Sequence, residues 1–113
     1  MTKTKSINIE FISRDSQKST FDWANISIND ERVGKARCLI QDKQLTIYSI
    51  NIYPEFQGNG YGKEFVLQAR NHFDIIIADR VRFEAIGFWE KMGFVKKDDT
   101  QWIYSNSIAN KRL

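Results

Sequence analysis

Six consecutive residues restrict this chain more than any others. In Gln57-Gly58-Asn59-Gly60-Tyr61-Gly62 every second position is glycine. An apolar run ended by Pro54 precedes them, and Tyr61, Phe65, Val66, Ala69 and Phe73 recur at helical spacing after them. Proline cannot donate to a strand ladder, so a strand stops there, and a helix is predicted from about Gly60 to Phe73. The glycines therefore occupy a strand-to-helix turn. Two readings fit it. One is a tight turn with no ligand. In the other, the bared backbone lets a ligand approach, and the free N–H groups of the helix's first turn suit a pyrophosphate, with Lys63 adding charge at the rim. Other glycine motifs fail on their residues. A Walker loop needs Ser or Thr after Gly62-Lys63, where Glu64 stands, and a Rossmann fingerprint needs glycine at Lys63. An RNA-recognition strand motif is faintly echoed at Gly60–Val66, but the apolar period there is that of a helix.

Around this turn the pattern predicts a sheet. Ile7, Ile9 and Phe11 alternate as a first strand, and Ser13–Thr20 is a short polar connector. A second strand is expected over Phe21–Ile28, a turn at 29–32, a third strand over Val33–Ile40 and a fourth over Gln44–Tyr53. In the fourth strand Leu45 and Ile47 share one parity while Tyr48, Ile50 and Ile52 share the other. Either both faces are covered or a bulge re-aims the residues after it. Asp74–Asp79 is a short, continuously apolar strand of the kind buried in parallel pairing, so strand, helix and strand form a right-handed crossover. A second helix is expected over Phe83–Met92, with Ala85, Ile86, Phe88, Trp89 and Met92 toward the core. Gly93 would end it as a left-handed C′ residue with Phe94 folding back on Trp89. Closing strands are expected near 94–97 and 100–105.

Composition sets the outer limits. With 113 residues, 42% hydrophobic and 27% charged, the chain is expected to be one folded domain over 1–113, neither disordered nor fibrous. One cysteine, Cys38, excludes an internal disulfide framework or a zinc ribbon. No apolar run approaches the roughly 20 residues needed to span a bilayer. The N-terminus lacks the apolar stretch of a signal peptide, so a cytoplasmic protein is expected. The net charge of +3 is mild and is inflated by Lys3, Lys5, Lys111 and Arg112, so nucleic acid is not the expected partner. Cys38 reads as a core thiol and His72 as a residue at a helix C-terminus. Trp23 and Trp102 read as core or interface. Glu10, Asp79 and Glu84 are carboxylates that either reach a cleft or simply face solvent.

Two runs taken together resemble a known family. Ile50-Asn-Ile52-Tyr-Pro54-Glu-Phe-Gln57-Gly58-Asn-Gly60-Tyr-Gly62-Lys is similar to the acetyl-CoA signature of the GNAT superfamily of N-acetyltransferases. Ala85-Ile-Gly-Phe-Trp-Glu-Lys-Met-Gly93-Phe94 resembles that family's second signature, and Val33-Gly34-Lys-Ala36 fits the start of its third strand. The resemblance covers about residues 21–105 and implies an α/β (α+β) GNAT fold. That fold is a mixed, mostly antiparallel sheet of six to seven strands with two main helices, here with the N-terminal helix pair shortened or absent.

The resemblance also implies an activity: direct transfer of acetyl from the CoA thioester to a primary amine. The implied co-substrate is acetyl-CoA, with no metal. The acceptor would be a small-molecule or peptide amine, and no membrane is implied. Backbone groups of Ile50, Ile52 and Tyr53 would meet the pantetheine arm, with the Ile52 N–H on the acetyl oxygen. Gln57, Gly58, Asn59, Gly60, Tyr61, Gly62 and Lys63 would hold the pyrophosphate, and Asp79 would lie near the thioester. Departures accompany this. Trp89 stands where the family usually has an acidic tyrosine, Thr46 where a glutamate base is common, and Arg82 where asparagine is usual. The connector Ser13–Thr20 is too short for two helices, so a homodimer is expected to cover the face they leave. Two other readings remain: a non-catalytic acyl-CoA-binding or interaction module, and a small basic nucleic-acid binder resting on charge and aromatics.

Overall fold

The computed structural model describes residues 6–106. Lys3, Lys5, Lys111 and Arg112 lie outside the described residues. Seven strands form one sheet in the order β1-β2-β3-β4-β5-β7-β6. They are β1 (Asn8–Ile12), β2 (Asp22–Ile28), β3 (Glu31–Gln41), β4 (Gln44–Ile52), β5 (Ile75–Ala78), β6 (Val95–Lys96) and β7 (Trp102–Ser105). β4 and β5 are parallel, and every other neighbouring pair is antiparallel. The helices are α1 (Arg14–Gln17), α2 (Tyr61–His72) and α3 (Ile86–Lys91), the last preceded by a 3-10 turn at Phe83–Ala85. The β2–β3 turn is tighter than the four residues the sequence suggests. Asn29 and Asp30 take φ of 51° and 67°, which two-residue hairpin turns require and which Asn and Asp tolerate.

The register assigns each side chain to a face. Phe11, Ala24, Ala36 and Ile50 lie side by side across four strands, as do Ile47, Ala78 and Trp102 farther along. This face carries the core. α2 lies on it through Phe65, Val66 and Ala69, with Phe73 edge-on to Phe11 at 5.8 Å. α3 lies on the same face, where Trp89, Phe94 and Tyr104 form a run of ring contacts at 4.8 and 5.7 Å. Arg70 of α2 donates to the Met92 carbonyl at 3.3 Å and so joins the two helices. The end of α3 is a Schellman turn. Gly93 has φ 89°, its N–H reaches Glu90 O, and the Phe94 N–H reaches Trp89 O at 3.0 Å.

Both answers to the parity question in β4 hold, in different halves. Leu45, Thr46 and Ile47 are buried on both faces between β3 and β5. The register then slips. Arg37 faces Ser49 while Cys38 faces Ile47, so Tyr48 is an extra residue on β4. The bulge keeps Ile50 and Ile52 on the core face beside Ile47.

The connector before β2 is replaced by one pinned turn. Ser13 caps α1 by accepting from the Asp15 N–H at 3.1 Å. Asp22, 3% exposed, accepts from the Arg14 N–H, the Arg14 guanidinium and the Ile40 N–H at 2.6, 2.9 and 2.7 Å. A buried carboxylate with three donors is satisfied, and it ties α1 to β2 and β3. The implied shortening of the N-terminal helix pair thus leaves only the four residues of α1.

Candidate active site

The site is a gap in the sheet. β5 pairs with β4 only over Gln44–Ile47, and the last bond between them is the Asp79 N–H to Ile47 O at 2.9 Å. Beyond it the chain turns away, with Val81 bonding to Thr100 O. The end of β4 therefore has no neighbour on that side. Tyr53 donates to Val33 O at 2.9 Å, toward β3. Donors alternate sides along a strand, so the N–H groups of Ile50 and Ile52 turn the other way, into the gap. A cavity of about 760 Å³ fills it, lined by Ile50 and Ile52 of β4, Gly62 of α2, Asp79 after β5, and Phe88 and Trp89 of α3.

The glycine turn stands at the α2 end of this cavity. Gly58 and Gly60 have φ of 85° and 80°, and a Cβ added at Gly58, Gly60 or Gly62 would meet no atom within 4 Å. The open conformation and the open space are both what a ligand on the backbone needs. The Glu64 N–H is the first in α2 to find a carbonyl, Gly60 O at 3.0 Å. The Tyr61, Gly62 and Lys63 N–H groups precede it and have no carbonyl of the helix within reach. Two side chains brace the turn: Gln57 donates to Ile52 O at 2.8 Å, and Asn59 to Phe56 O at 3.0 Å. Gln57, by clamping the Ile52 carbonyl, fixes the peptide plane at the mouth of the gap.

The expected residues separate into two groups. Ile50, Ile52, Gly62, Asp79 and Trp89 line the cavity together. Gln57, Gly58, Asn59, Gly60 and Lys63 are exposed ahead of it, and Tyr61 is half-buried against the core. The Tyr53 N–H is already bonded within the sheet. The Asp79 carboxylate accepts from Gln101 Nε2 at 2.9 Å and lies 3.9 Å from the Arg80 guanidinium. Trp89 is 7% exposed, with its ring between Phe88 at 5.0 Å and Phe94 at 4.8 Å. Thr46 is sealed between Leu39 and Ile77 within the sheet and does not line the cavity. Glu84 lines the cavity, while Glu10 and His72 lie exposed elsewhere. Cys38 is fully buried, with Sγ 3.5 Å from Asp22 O. Burial, aided by the Asp22 charge, pushes its thiol up to about 12.

Arg37, Tyr48, Ser49 and Arg80 line the same cavity without having been expected there, and so does Arg82. The parity break at Tyr48 was the signal for this group. Among the described residues no three His, Cys, Asp or Glu side chains converge, and no helix is long and apolar enough to cross a membrane.

Comparison with known proteins agrees with this geometry. The family model of the GNAT acetyltransferase domain matches residues 22–96. Over 52 residues the chain is 40% identical to the uncharacterized N-acetyltransferase OB1458 of Oceanobacillus iheyensis, a stretch that is 46% of this chain and 32% of that protein. The match thus spans about a third of that relative's length. The fold is similar to the Bacillus subtilis N-acetyltransferase YlbP in complex with Coenzyme-A, with a TM-score of 0.64 and 17% identity over 92% of this chain and 98% of that one. It is also similar to a GNAT family acetyltransferase from Elizabethkingia anophelis with acetyl-CoA bound, with a TM-score of 0.59 and 17% identity over 84% and 80% of the two chains. With its family match running from β2 through the glycine turn and α3 to β6, the chain belongs to the GNAT acetyltransferase family.

Proposed function

We propose that this chain is an acetyl-CoA-dependent N-acetyltransferase that moves acetyl directly from the thioester to a primary amine. The observation that carries the reading is a convergence of backbone donors. Ile50 and Ile52, whose N–H groups turn outward, and Gly62, whose N–H is free in the first turn of α2, line one cavity, with the rest of the glycine turn exposed ahead of it. Two structural neighbours contain CoA or acetyl-CoA, which supports the same assignment. The glycine turn fits a pyrophosphate because nothing occupies the space a Cβ would fill there.

Bound acetyl-CoA supplies an activated acyl group and a thiol leaving group. The protein supplies positioning and a polarising donor. Gly58–Lys63 and the end of β4 hold the ends of an extended arm, and the gap admits an amine beside its reactive carbon. The Ile52 N–H donates to the acyl oxygen as charge develops on it, a contribution of about 3 kcal/mol where such donors have been removed elsewhere. An ammonium cannot attack, so a proton must leave the acceptor. Two carboxylates on the cavity wall, Asp79 and Glu84, could take it; we assign it to Asp79, or water beside it, at the end of β5 where the gap begins. Trp89 packs and can donate a hydrogen bond, but it cannot act as an acid. We read the enzyme as a cytoplasmic homodimer of single-domain chains.

One observation favours a second reading. Neither Trp89 nor the sealed Thr46 can titrate near neutrality, as a non-catalytic acyl-CoA-binding module would allow. Release of CoA thiol, measured with a panel of primary amines, separates the two. Amine-dependent release supports transfer, and acetyl-CoA binding without release supports the module.

A further inference from the structure

The cavity has a second mouth, on the sheet face opposite α2. Arg37 of β3 faces Trp23 and Ser49 in the register, between the core-facing Ala36 and Cys38, so its side chain stands on that far face. Its guanidinium lies over the Phe21 ring at 4.8 Å, and Phe21 meets Tyr48, the bulged residue, at 5.2 Å. Arg80 lies over Tyr48 at 5.9 Å and takes a left-handed backbone, φ 56°, immediately after Asp79. Arg37, Tyr48, Ser49, Arg80 and Arg82 all line the cavity here.

The charges at this mouth do not balance. The cavity wall carries three arginines against Asp79 and Glu84. Asp79 is already held by Gln101 and lies beside Arg80. Arg37 has no carboxylate partner among the described residues, and its Nε is buried with no hydrogen-bond acceptor. A buried donor left unpaired is costly, and stacking on Phe21 fixes the guanidinium without satisfying it.

We infer that Arg37 and Arg80 form an anion-binding subsite at the acceptor mouth, selecting amines that carry a carboxylate or a phosphate. The inference rests on the acetyl-transfer reading and names its substrate class. A planar guanidinium held by an aromatic ring presents a fork that either anion can take up. Both anions share this chemistry, and the acceptor's amine would then extend past Tyr48 and Ser49 toward the Ile52 N–H.

The test uses the full chain and two matched pairs of amines: O-phosphoethanolamine against ethanolamine, and 4-aminobutanoate against 4-aminobutanamide. Thermal shift at equal concentrations should show stabilisation by at least one anionic amine and little by its neutral partner. The pair that responds identifies phosphate or carboxylate. Arg37→Gln should lose most of that shift. Arg80→Gln, at a side chain 73% exposed, should weaken it without risk to folding. Where turnover is measured, kcat/KM for the anionic member should exceed that of its neutral partner by about tenfold or more, as a charge-assisted bond supplies, and the ratio should fall toward one in both variants. Equal shifts within both pairs, no shift from any amine, or an anion shift undiminished in both variants would overturn the subsite. Acetyl-CoA is titrated separately. Its binding without any anion effect removes the subsite and leaves the acetyl-transfer reading, whereas an anion effect without acetyl-CoA binding removes that reading and keeps the subsite.

Discussion

Gly60 has φ 80° and nothing within 4 Å of an added Cβ, so valine there would strain the backbone and fill the space proposed for the pyrophosphate. Acetyl-CoA should raise the Tm of the native protein, and Gly60→Val should abolish that rise. A rise of equal size in the variant would remove the glycine turn from the site. At Trp89 the expected cost is small. Trp89→Phe removes an N–H and some packing between Phe88 and Phe94 but no acid, so kcat should fall by less than about tenfold, below the hundredfold or more of a lost acid-base group. The pH–rate profile should keep rising toward the pKa of the acceptor amine with no alkaline limb. A thousandfold loss in Trp89→Phe with the fold intact would contradict these roles. Single residues with special backbone needs were legible in the sequence: Gly60, Pro54, and the Gly93–Phe94 ending on Trp89 all stand as their chemistry demands. Arg37 was not legible. Its role depends on which strand face it occupies and on the rings beside it, and neither is a local property of the sequence.

Asp22 is the tie that replaces longer helical packing before β2. Asp22→Ala would leave the Ile40 N–H and Arg14 without their acceptor, at a cost of about 2–4 kcal/mol. In a chain this size the Tm should drop by roughly 10 °C or more; a drop within 2 °C would show the network to be idle. Gly34 allows β3 and β4 to approach at the edge of the gap. A Cβ there would lie 2.5 Å from the Asn51 carbonyl and 2.9 Å from the Ile52 side chain. Gly34→Ala should therefore weaken acetyl-CoA binding by displacing Ile52, detectable as a raised Kd. The Cys38 thiol of β3, buried beside Asp22 O, sits at about 12 against an ordinary 9.0, so above pH 9 the unfolded chain releases a proton the folded one retains. Stability should fall as pH rises through that window, and Cys38→Ala should flatten the fall. Helix limits were read from the sequence to within a residue for α2, because glycine and the apolar stripe bracket it. The start of α3 was not, since Phe83–Ala85 winds as a 3-10 turn that shares the periodic residues of the helix. The β4 parity break left two answers open because a bulge and two-sided burial produce the same pattern; the register separates them.

Over the whole molecule, both longer helices cover one face of the sheet, and among the described residues no helix covers the other. Trp23 and Leu39 are half-buried on that face, and Thr46 and Ile77 follow Leu39 side by side across β4 and β5. We expect a homodimer to use the side of that face toward the first strands. Sedimentation at high micromolar concentration should give twice the chain mass, and a monomer there would contradict it. The pairing of the third strand back on the second and the crossover were within reach of the sequence, because turn residues separate the early strands and one proline and one glycine turn mark the parallel step; the strand order was not. The second mouth of the cavity was not, because it exists only where a bulge and a splayed strand pair meet. The proposed function has these donors and this gap transfer acetyl to an amine. Its most direct test is thiol release from acetyl-CoA as a function of amine concentration, in the native protein and in Gly60→Val. Release that is amine-dependent, saturable and lost in the variant is the predicted result. Tight acetyl-CoA binding with no amine-dependent release at any pH, across charged and neutral primary amines, would contradict the account.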